Sequence, residues 1–365
     1  MYIIFFSIAF VLSLFLTFVV AIAMHKLRIV DIPSSADRKI HKKKIPLGGG
    51  LAIFGSFFLV IAVLQFWGTH YFQHEVVGRN LFGLFIGGLI LMVGGFLDDK
   101  YNLKARYQFI FPILSALTVI GFGIGPHSIS NPFGGQIDLA MFKISIDHIG
   151  TLVVFADMLV FAWLFGMMFT TKLLDGLDGL VAGVAGIGAI IVFFLSMQKQ
   201  WYQPEVAMLS VVFAGACLGF LVWNWHPAKI FLGEGGSLFA GFMLGSLAII
   251  SGGKIATTLL VVGIPVLDTA RVIIRRIQKK QPVYVGDSEH LHFRLINSGL
   301  TQKQAVLLLY SISLSFGLIA LFLQTKQKFI ALGFLFVLMV LVGVWFRRKE
   351  KKEDLRRLTY MLQQK

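Results

Sequence analysis

The residues best suited to chemistry are acids that stand in short motifs at the ends of apolar segments. They occur as Asp98-Asp99, as Asp175-Gly-Leu-Asp178, and as Glu234 in Gly-Glu-Gly-Gly-Ser. Paired carboxylates repel each other unless a cation neutralises them, and hard oxygen donors without thiolates suit Mg²⁺, with Mn²⁺ as an alternative. Mg²⁺ takes one or two carboxylates together with phosphate oxygens. Asp98 and Asp99 could simply end a helix at the headgroups, but the i,i+3 pair Asp175 and Asp178 favours a metal site for phosphate chemistry.

Basic residues and histidines supply a second group of candidates. The run Arg38 to Gly50 joins basic residues to three glycines, which would let an anion approach the backbone. A membrane-flanking role explains Lys42 and Lys43 equally well, whereas Lys44 favours a phosphate site. The pattern His290-Leu-His292-Phe-Arg294 indicates a weak zinc half-site, a solvated loop feature, or donors to sugar and phosphate oxygens. Zinc is the least favoured of the three because no further soft ligands accompany the histidines.

The composition of the 365-residue chain excludes a soluble fold. Hydrophobic residues make up 57% and charged residues 14%, against about 25% charged in soluble proteins. The net charge of +15 indicates an anionic partner, either nucleic acid, anionic lipid or a phosphate substrate. Nucleic acid is disfavoured because the basic residues are spread through loops without interleaved aromatics. The one cysteine, Cys217, cannot form an intrachain disulfide.

Long apolar runs position these motifs and predict an all-α polytopic membrane protein, since a helix needs roughly 20 residues to cross a bilayer. We predict eleven transmembrane helices, near residues 3–24, 47–67, 80–97, 107–125, 150–170, 179–197, 205–222, 236–250, 255–274, 304–323 and 328–346. Alternate connections hold 27 and 6 Lys and Arg residues. Because positively charged loops stay in the cytoplasm, the count predicts an external N-terminus and a cytoplasmic C-terminus.

Finer organisation follows from the same pattern. We predict one integral-membrane domain, residues 1–346, and a basic cytoplasmic tail, residues 347–365, that anchors at the membrane surface. The external loop 126–149 contains alternating segments around Asn131-Pro-Phe-Gly-Gly, which predicts a short β-hairpin. Glycines four residues apart predict close helix packing in lipid. These pairs are Gly83/Gly87, Gly179/Gly183, Gly215/Gly219 and Gly241/Gly245.

Six segments, in order over residues 31–300, resemble the polyprenyl-phosphate N-acetylhexosamine-1-phosphate transferases, a membrane superfamily that also includes the phospho-MurNAc-pentapeptide translocases. The segments are Asp31-Ile-Pro with His41 to Gly50, Gly95-Phe-Leu-Asp98-Asp99, Asp175-Gly-Leu-Asp178-Gly-Leu, Pro227-Ala-Lys-Ile-Phe-Leu-Gly-Glu-Gly-Gly-Ser237, Pro265-Val-Leu-Asp268, and His290-Leu-His-Phe-Arg-Leu295. The His-x-His-x-Arg-Leu pattern is similar to the branch that uses UDP-GlcNAc and undecaprenyl phosphate.

The resemblance implies a Mg²⁺-dependent enzyme of the cytoplasmic membrane, with its active site facing the cytoplasm. It would transfer a sugar-1-phosphate from a UDP-sugar donor to polyprenyl phosphate and release UMP, starting a surface glycan; membrane lipids are further partners and a homodimer stays open. The implied roles divide the candidates into three sets. Asp98, Asp99 and Asp175 would be catalytic, with Asp98 orienting or deprotonating the lipid phosphate; Asp178 and Glu234 would hold the metal; Lys44, Lys172, His290, His292 and Arg294 would bind substrate.

The sequence departs from the family pattern at three of these positions. Glu234 stands where Asp is usual, Lys172 where Asn is common, and Gln108 where Lys is frequent. We expect the Lys172 ammonium to replace the charge missing at position 108. On that hypothesis, Gln108→Lys combined with Lys172→Asn retains more turnover than Lys172→Asn alone.

Two other classes of protein remain as alternatives. A secondary transporter would place its acids near the middle of the membrane, whereas here Asp157 is the principal candidate within a span. A catalytically inactive, lipid-binding homologue or scaffold would account for Glu234 and Lys172. The motifs favour the enzyme over both.

Overall fold

Apolar segments form helices because backbone polar groups in hydrocarbon must be satisfied within the segment. The computed structural model describes residues 1–33, 43–67, 71–72, 76, 78–126, 128–130, 136–138, 143–146, 150–252, 255–280 and 290–363. The helices are α1 (Tyr2–Lys26), α2 (Gly50–Trp67), α3 (Gly78–Tyr101), α4 (Ala105–Gln108), α5 (Ile110–Gly121), α6 (Val154–Leu174), α7 (Leu180–Ser196), α8 (Pro204–Asn224), α9 (Gly233–Ile250), α10 (Ile255–Gln278), α11 (Leu291–Asn297), α12 (Gln302–Phe322) and α13 (Thr325–Gln363).

Most predicted apolar runs coincide with one helix, although the helices differ in length. The run 107–125 falls on two helices, α4 and α5, and residues 150–153 of the run 150–170 form a strand ahead of α6. Within the described part of the chain, seven helices are long and apolar enough to cross a membrane. They are α1, α3, α6, α8, α9, α12 and the Thr325–Phe346 part of α13. The bent helix α10 makes an eighth. The apolar helical segments Gly50–Phe66 in α2, Ala105–Gly121 across α4 and α5, and Leu180–Ser196 in α7 are shorter. A 17-residue helix such as α7 reaches only about 26 Å, less than the roughly 30 Å of the hydrocarbon core.

Helix α10 was predicted as one span, and the structure divides it. Its two halves, Ile255–Val261 and Gly263–Gln278, are bent by 81°. Pro265 lies inside the helix, has no N–H, and its ring clashes with the carbonyl four residues earlier, which is that of Val261. The bend therefore falls where the proline removes a helical hydrogen bond.

The strands are few and short. β1 (Val30–Asp31) pairs with β2 (Ile45–Pro46) ahead of α2. In the connection between α5 and α6, β3 (Ser128–Ser130) pairs with β4 (Gln136–Asp138), and β5 (Lys143–Ile146) pairs with β6 (Gly150–Val153), both antiparallel. The single predicted hairpin is thus accompanied by a second one, while the turn residues 131–135 lie outside the described residues.

Glycine contacts hold the helices together, as their spacing predicted. A Cβ on Gly215 would meet the carbonyl oxygen of Phe6, and one on Gly219 would meet that of Phe10, so α8 packs directly on the backbone of α1. A Cβ on Gly241 of α9 would likewise meet the backbone of α6.

The same kind of contact fixes the end of the bundle that carries the acids. A Cβ on Gly95 of α3 would overlap the backbone of Gly235, and one on Gly50 of α2 would overlap that of Gly236. The N–H of Gly50 donates to the carbonyl oxygen of Leu232 at 2.8 Å, and the N–H of Gly49 donates to the carbonyl oxygen of Phe231 at 2.9 Å. The expectation that these glycines admit an anion is therefore wrong for Gly49 and Gly50, because the start of α9 occupies that space.

Candidate functional site

The structure brings the predicted acids together at one end of the helices. Asp98 and Asp99 lie in the last turn of α3, Glu234 in the first turn of α9, and Asp175 and Asp178 in the loop from α6 to α7. The backbone N–H of Glu234 donates to Asp99 Oδ1 at 3.1 Å, which joins α9 to α3. Desolvation by the surrounding protein atoms, followed by repulsion from the carboxylates of Glu234, Asp99 and Asp178, raises the pKa of Asp175 to about 8. The residue is nevertheless exposed at the surface. The acids of the site therefore repel one another, and a cation bound among them would relieve that repulsion.

Asp98 belongs to a chain of hydrogen bonds that leads to α6. Its Oδ1 atom accepts from the N–H of Leu103 at 2.8 Å and from Gln108 Nε2 at 3.1 Å. The Oε1 atom of the same glutamine accepts from Lys172 Nζ at 3.0 Å. Gln108 and Lys172, two of the three positions that depart from the family pattern, are thus in contact. The turnover expected for Gln108→Lys combined with Lys172→Asn stays a prediction.

Lys172 also forms an ion pair with Glu234 Oε1. Both side chains are largely enclosed, with 19% of Lys172 and 18% of Glu234 exposed, and the ammonium lies 5.6 Å from the centre of the Phe169 ring. Lys172 was predicted to bind substrate, and here protein groups occupy its ammonium. Its substrate contact stays a prediction.

Asp178 is fixed by the segment that follows α8. His226 Nδ1 lies 2.6 Å from Asp178 Oδ2, and the N–H of Ala228 donates to the same oxygen at 3.1 Å. Asn224 braces the loop from the other side, because its Oδ1 atom accepts from the N–H of Gly179 at 3.0 Å.

His226 and Asn224 were not predicted from the sequence. His226 directly precedes the Pro227-Ala-Lys motif and Asn224 stands three residues before it, so their position beside that motif was the available signal.

The donor set fits a hard divalent cation, although it does not form a complete cage. Among the described residues, no three His, Cys, Asp or Glu side chains lie close enough together to hold a metal ion by themselves. Mg²⁺ usually keeps waters and uses one or two carboxylates plus substrate phosphates, which agrees with a partial protein site. The carboxylates of Asp178 and Glu234 are of the right chemistry, and the negative charge around Asp175 favours a cation nearby.

The histidine motif lies on α11 and is anchored to α10. Asp268 Oδ2 is 3.0 Å from His290 Nδ1 and accepts from the N–H of Leu291 at 2.9 Å, while Arg271 Nη2 donates to Asp268 Oδ1 at 2.8 Å. The rings of His290 and His292 stack with their centres 5.6 Å apart. Asp268 was recognised as part of a motif, and the structure gives it this bracing position.

His292 connects that motif to the acid loop. Its ring lies against Gly176, where a Cβ would overlap it, and its buried Nε2 atom has no hydrogen-bond partner within the described residues. Burial and the neighbouring His290 lower the pKa of His292 to about 3, so the ring is neutral near pH 7. Arg294 is buried beside the Phe346 ring. All three side chains of the motif are buried, and their contact with substrate stays a prediction.

Lys44 is the remaining residue that was predicted to bind substrate. It is exposed immediately before β2, and in the part of the chain that the structure describes it makes no hydrogen bond or ion pair. Residues 34–42, which include Lys42 and the start of the basic run, lie outside the described residues. The assignment of Lys44 to a phosphate therefore stays a prediction.

Comparison with known proteins agrees with these features. The model of glycosyl transferase family 4 matches residues 81–252. A Bacillus subtilis (strain 168) protein named as a probable undecaprenyl-phosphate N-acetylglucosaminyl 1-phosphate transferase is 32% identical over 92% of this chain and 90% of its own length. A decaprenyl-phosphate N-acetylglucosaminephosphotransferase of Mycolicibacterium smegmatis is 30% identical over 84% of this chain and 79% of its own. A phospho-N-acetylmuramoyl-pentapeptide-transferase of Halalkalibacterium halodurans is 29% identical over 78% and 86%.

Helix length and composition, together with acids gathered at one end, define a multi-pass membrane protein with a polar site at the edge of its apolar helices. The chain belongs to glycosyl transferase family 4, the family of the polyprenyl-phosphate N-acetylhexosamine-1-phosphate transferases. The relationship predicted from the six motifs is confirmed.

Proposed function

We propose that the protein transfers GlcNAc-1-phosphate from UDP-GlcNAc to undecaprenyl phosphate. An oxygen of the acceptor phosphate attacks the β-phosphorus of the donor, the bond to the bridging oxygen breaks, and UMP leaves. The product is a lipid-linked diphosphate sugar on which a surface glycan is built. The names of the relatives from Bacillus subtilis and Mycolicibacterium smegmatis support both the sugar and the class of acceptor.

The observation that carries the proposal is the meeting of acids from three separate parts of the chain. Asp99 is hydrogen-bonded to the start of α9, and the carboxyl of Asp175 interacts with those of Glu234 and Asp178. The two substrates bring roughly four negative charges at neutral pH. Phosphoryl transfer depends mainly on positioning and charge neutralisation, which requires this mixture of acids, a cation and basic groups.

The geometry supports a division of labour among the acids. Asp98, held by Leu103 and Gln108, would orient or deprotonate the acceptor phosphate, with Asp99 and Asp175 completing the polar surroundings. Asp178 and Glu234 would hold Mg²⁺, which when bound neutralises charge on the donor diphosphate.

The proposed membrane arrangement extends the seven or eight candidate spans to eleven, with α2, α4–α5 and α7 completing the crossing. In this arrangement the N-terminus is external, the C-terminus is cytoplasmic, and the acids face the cytoplasm, where UDP-sugars are made. The distribution of Lys and Arg supports that orientation.

The test is to incubate the purified protein with undecaprenyl phosphate, Mg²⁺ and a panel of UDP-sugars and to measure UMP. We expect UMP with UDP-GlcNAc and a loss of at least about 100-fold in Asp98→Asn, because a positioned acid–base group contributes about that much or more. Lys104→Gln, which alters an exposed residue near the same end of α3, is a matched control that we expect to keep full activity.

Two results would contradict the proposal. Absence of UMP with every donor would favour the inactive, lipid-binding homologue. UMP release that survives Asp98→Asn unchanged would remove Asp98 from the reaction and with it the assigned roles.

A further inference from the structure

Lys172 lies between Glu234 at the start of α9 and Gln108, the partner of Asp98. Its ammonium contacts Glu234 at the start of α9 and lies 3.0 Å from Gln108 Oε1, and Gln108 in turn donates to Asp98. Lys172, in the last turn of α6, thus links Asp98, the acid proposed to act on the acceptor phosphate, to Glu234, the proposed metal ligand.

The pairing has a direct consequence for a metal ion. The ammonium occupies Glu234 Oε1, and a divalent cation on that oxygen would stand within a few ångströms of another positive charge. Because both side chains are more than four-fifths enclosed, solvent screens this repulsion only in part. Metal and ammonium must therefore compete for the carboxylate of Glu234.

We propose that Lys172 is an internal counter-ion that holds Glu234 while the substrates are absent and releases it to the metal when the donor diphosphate binds. Lys172 is then a positioning residue, and the inference rests on the function proposed above. The negative charge of the diphosphate offsets the repulsion between metal and ammonium, so metal and donor bind together.

The contact with Gln108 keeps the ammonium near the site after it leaves Glu234. Lysine has three N–H donors on a flexible four-carbon stem, so it can exchange one partner while it keeps another. Gln108 is neutral, so its hydrogen bond holds the ammonium more weakly than the charged carboxylate of Glu234 does.

The test is direct Mn²⁺ binding to the substrate-free protein in detergent, measured from the free Mn²⁺ signal by electron paramagnetic resonance. Lys172→Gln is expected to bind Mn²⁺ about three- to tenfold more tightly than the unmodified protein, since the carboxylate no longer has an internal partner. Lys172→Arg keeps the charge and is expected to bind as weakly as the unmodified protein. Lys172→Met is a second neutral variant in case the glutamine variant does not fold.

Two controls separate this effect from general electrostatics. Lys100→Gln removes an exposed positive charge in the last turn of α3, beside the Tyr101 ring, and is expected to change Mn²⁺ affinity by less than about twofold. Adding Glu234→Gln to Lys172→Gln should remove the gain, because the released carboxylate is the source of the tighter binding.

The outcomes distinguish this inference from the proposed function. If the unmodified protein releases UMP and both neutral variants bind Mn²⁺ no more tightly, the counter-ion role is wrong while the transferase stands. If no UMP forms with any donor, the transferase proposal fails, and the inference that rests on it fails too. Tighter binding in the neutral variants, with turnover reduced in the presence of both substrates, supports both.

Discussion

Asp268 and Glu234 lie in neighbouring apolar helices, yet their oxygens are engaged in different ways. Both oxygens of Asp268 are occupied, by Arg271 on one side and by His290 and the backbone of Leu291 on the other. Among the described residues, the carboxylate of Glu234 pairs with Lys172, which comes from a different helix. The side chain of Asp268 is 7% exposed and that of Glu234 is 18% exposed.

The difference separates a carboxylate that braces the fold from one that can change partners. A buried carboxylate that is held by several fixed donors stabilises a single arrangement, and removing its charge leaves those donors unpaired. A carboxylate with one mobile counter-ion can pass to a ligand at smaller cost. The sequence motifs assign Glu234 to the metal and give Asp268 no role, but they do not show this difference in partners.

The largest expected effect is on turnover at Glu234. Glu234→Gln keeps the shape of the side chain and removes its charge, so we expect UMP release to fall by at least about 100-fold, as when a single electrostatic contact to a reacting group is removed. The melting temperature should change little. A large fall in melting temperature would place Glu234 with Asp268 instead.

Asp268→Asn is expected to act on stability. The neutral amide no longer offers a negative charge to Arg271 and His290, and breaking a buried ion pair costs about 3 kcal/mol or more. The measurement is the melting temperature in detergent, with Arg271→Gln as a control that should show part of the same loss. An unchanged melting temperature together with lost turnover would assign Asp268 to the reaction.

The smallest expected effect is the pH dependence that comes from His292. The folded pKa of His292 is about 3 and the unfolded value about 6.5, so the unfolded chain takes up a proton that the folded ring refuses. Stability is therefore lost as the pH falls below about 6.5, by about 1 kcal/mol at about pH 5.5. His292→Gln should lose less stability than the unmodified protein between about pH 7.5 and pH 5.5, and equal losses would show that the ring is protonated in the fold.

Much of the fold could be predicted because a long run of apolar residues is visible in the sequence itself and forms a helix in lipid. Nearly all of the predicted apolar runs are helical, and the glycine pairs at 215/219 and 241/245 lie at helix contacts. The exceptions are the run 107–125, which forms two helices, and the start of the run 150–170, which forms a strand. The bend in α10 was also readable, since Pro265 lies inside the run. The number of full crossings was not, because short helices such as α7 match the bilayer only through tilt and packing.

The site divides in a similar way. Five acids were found from their spacing, and they do converge. The partners of those acids were not found, because the pairing of Lys172 with Glu234 joins positions 62 residues apart and that of His226 with Asp178 joins positions 48 apart. Gly49 and Gly50 were misread for the same reason, since only the folded chain shows that α9 fills the space beside them.

The touching backbones of Gly50 with Gly236 and Gly95 with Gly235 limit how the protein can respond to its ligands. With no side chain between them, these three helix ends cannot slide or tilt against one another without a collision of main-chain atoms. Any adjustment on ligand binding must then come from side chains. The end of the bundle that carries the acids therefore has one side of fixed shape, formed by the packed ends of α2, α3 and α9.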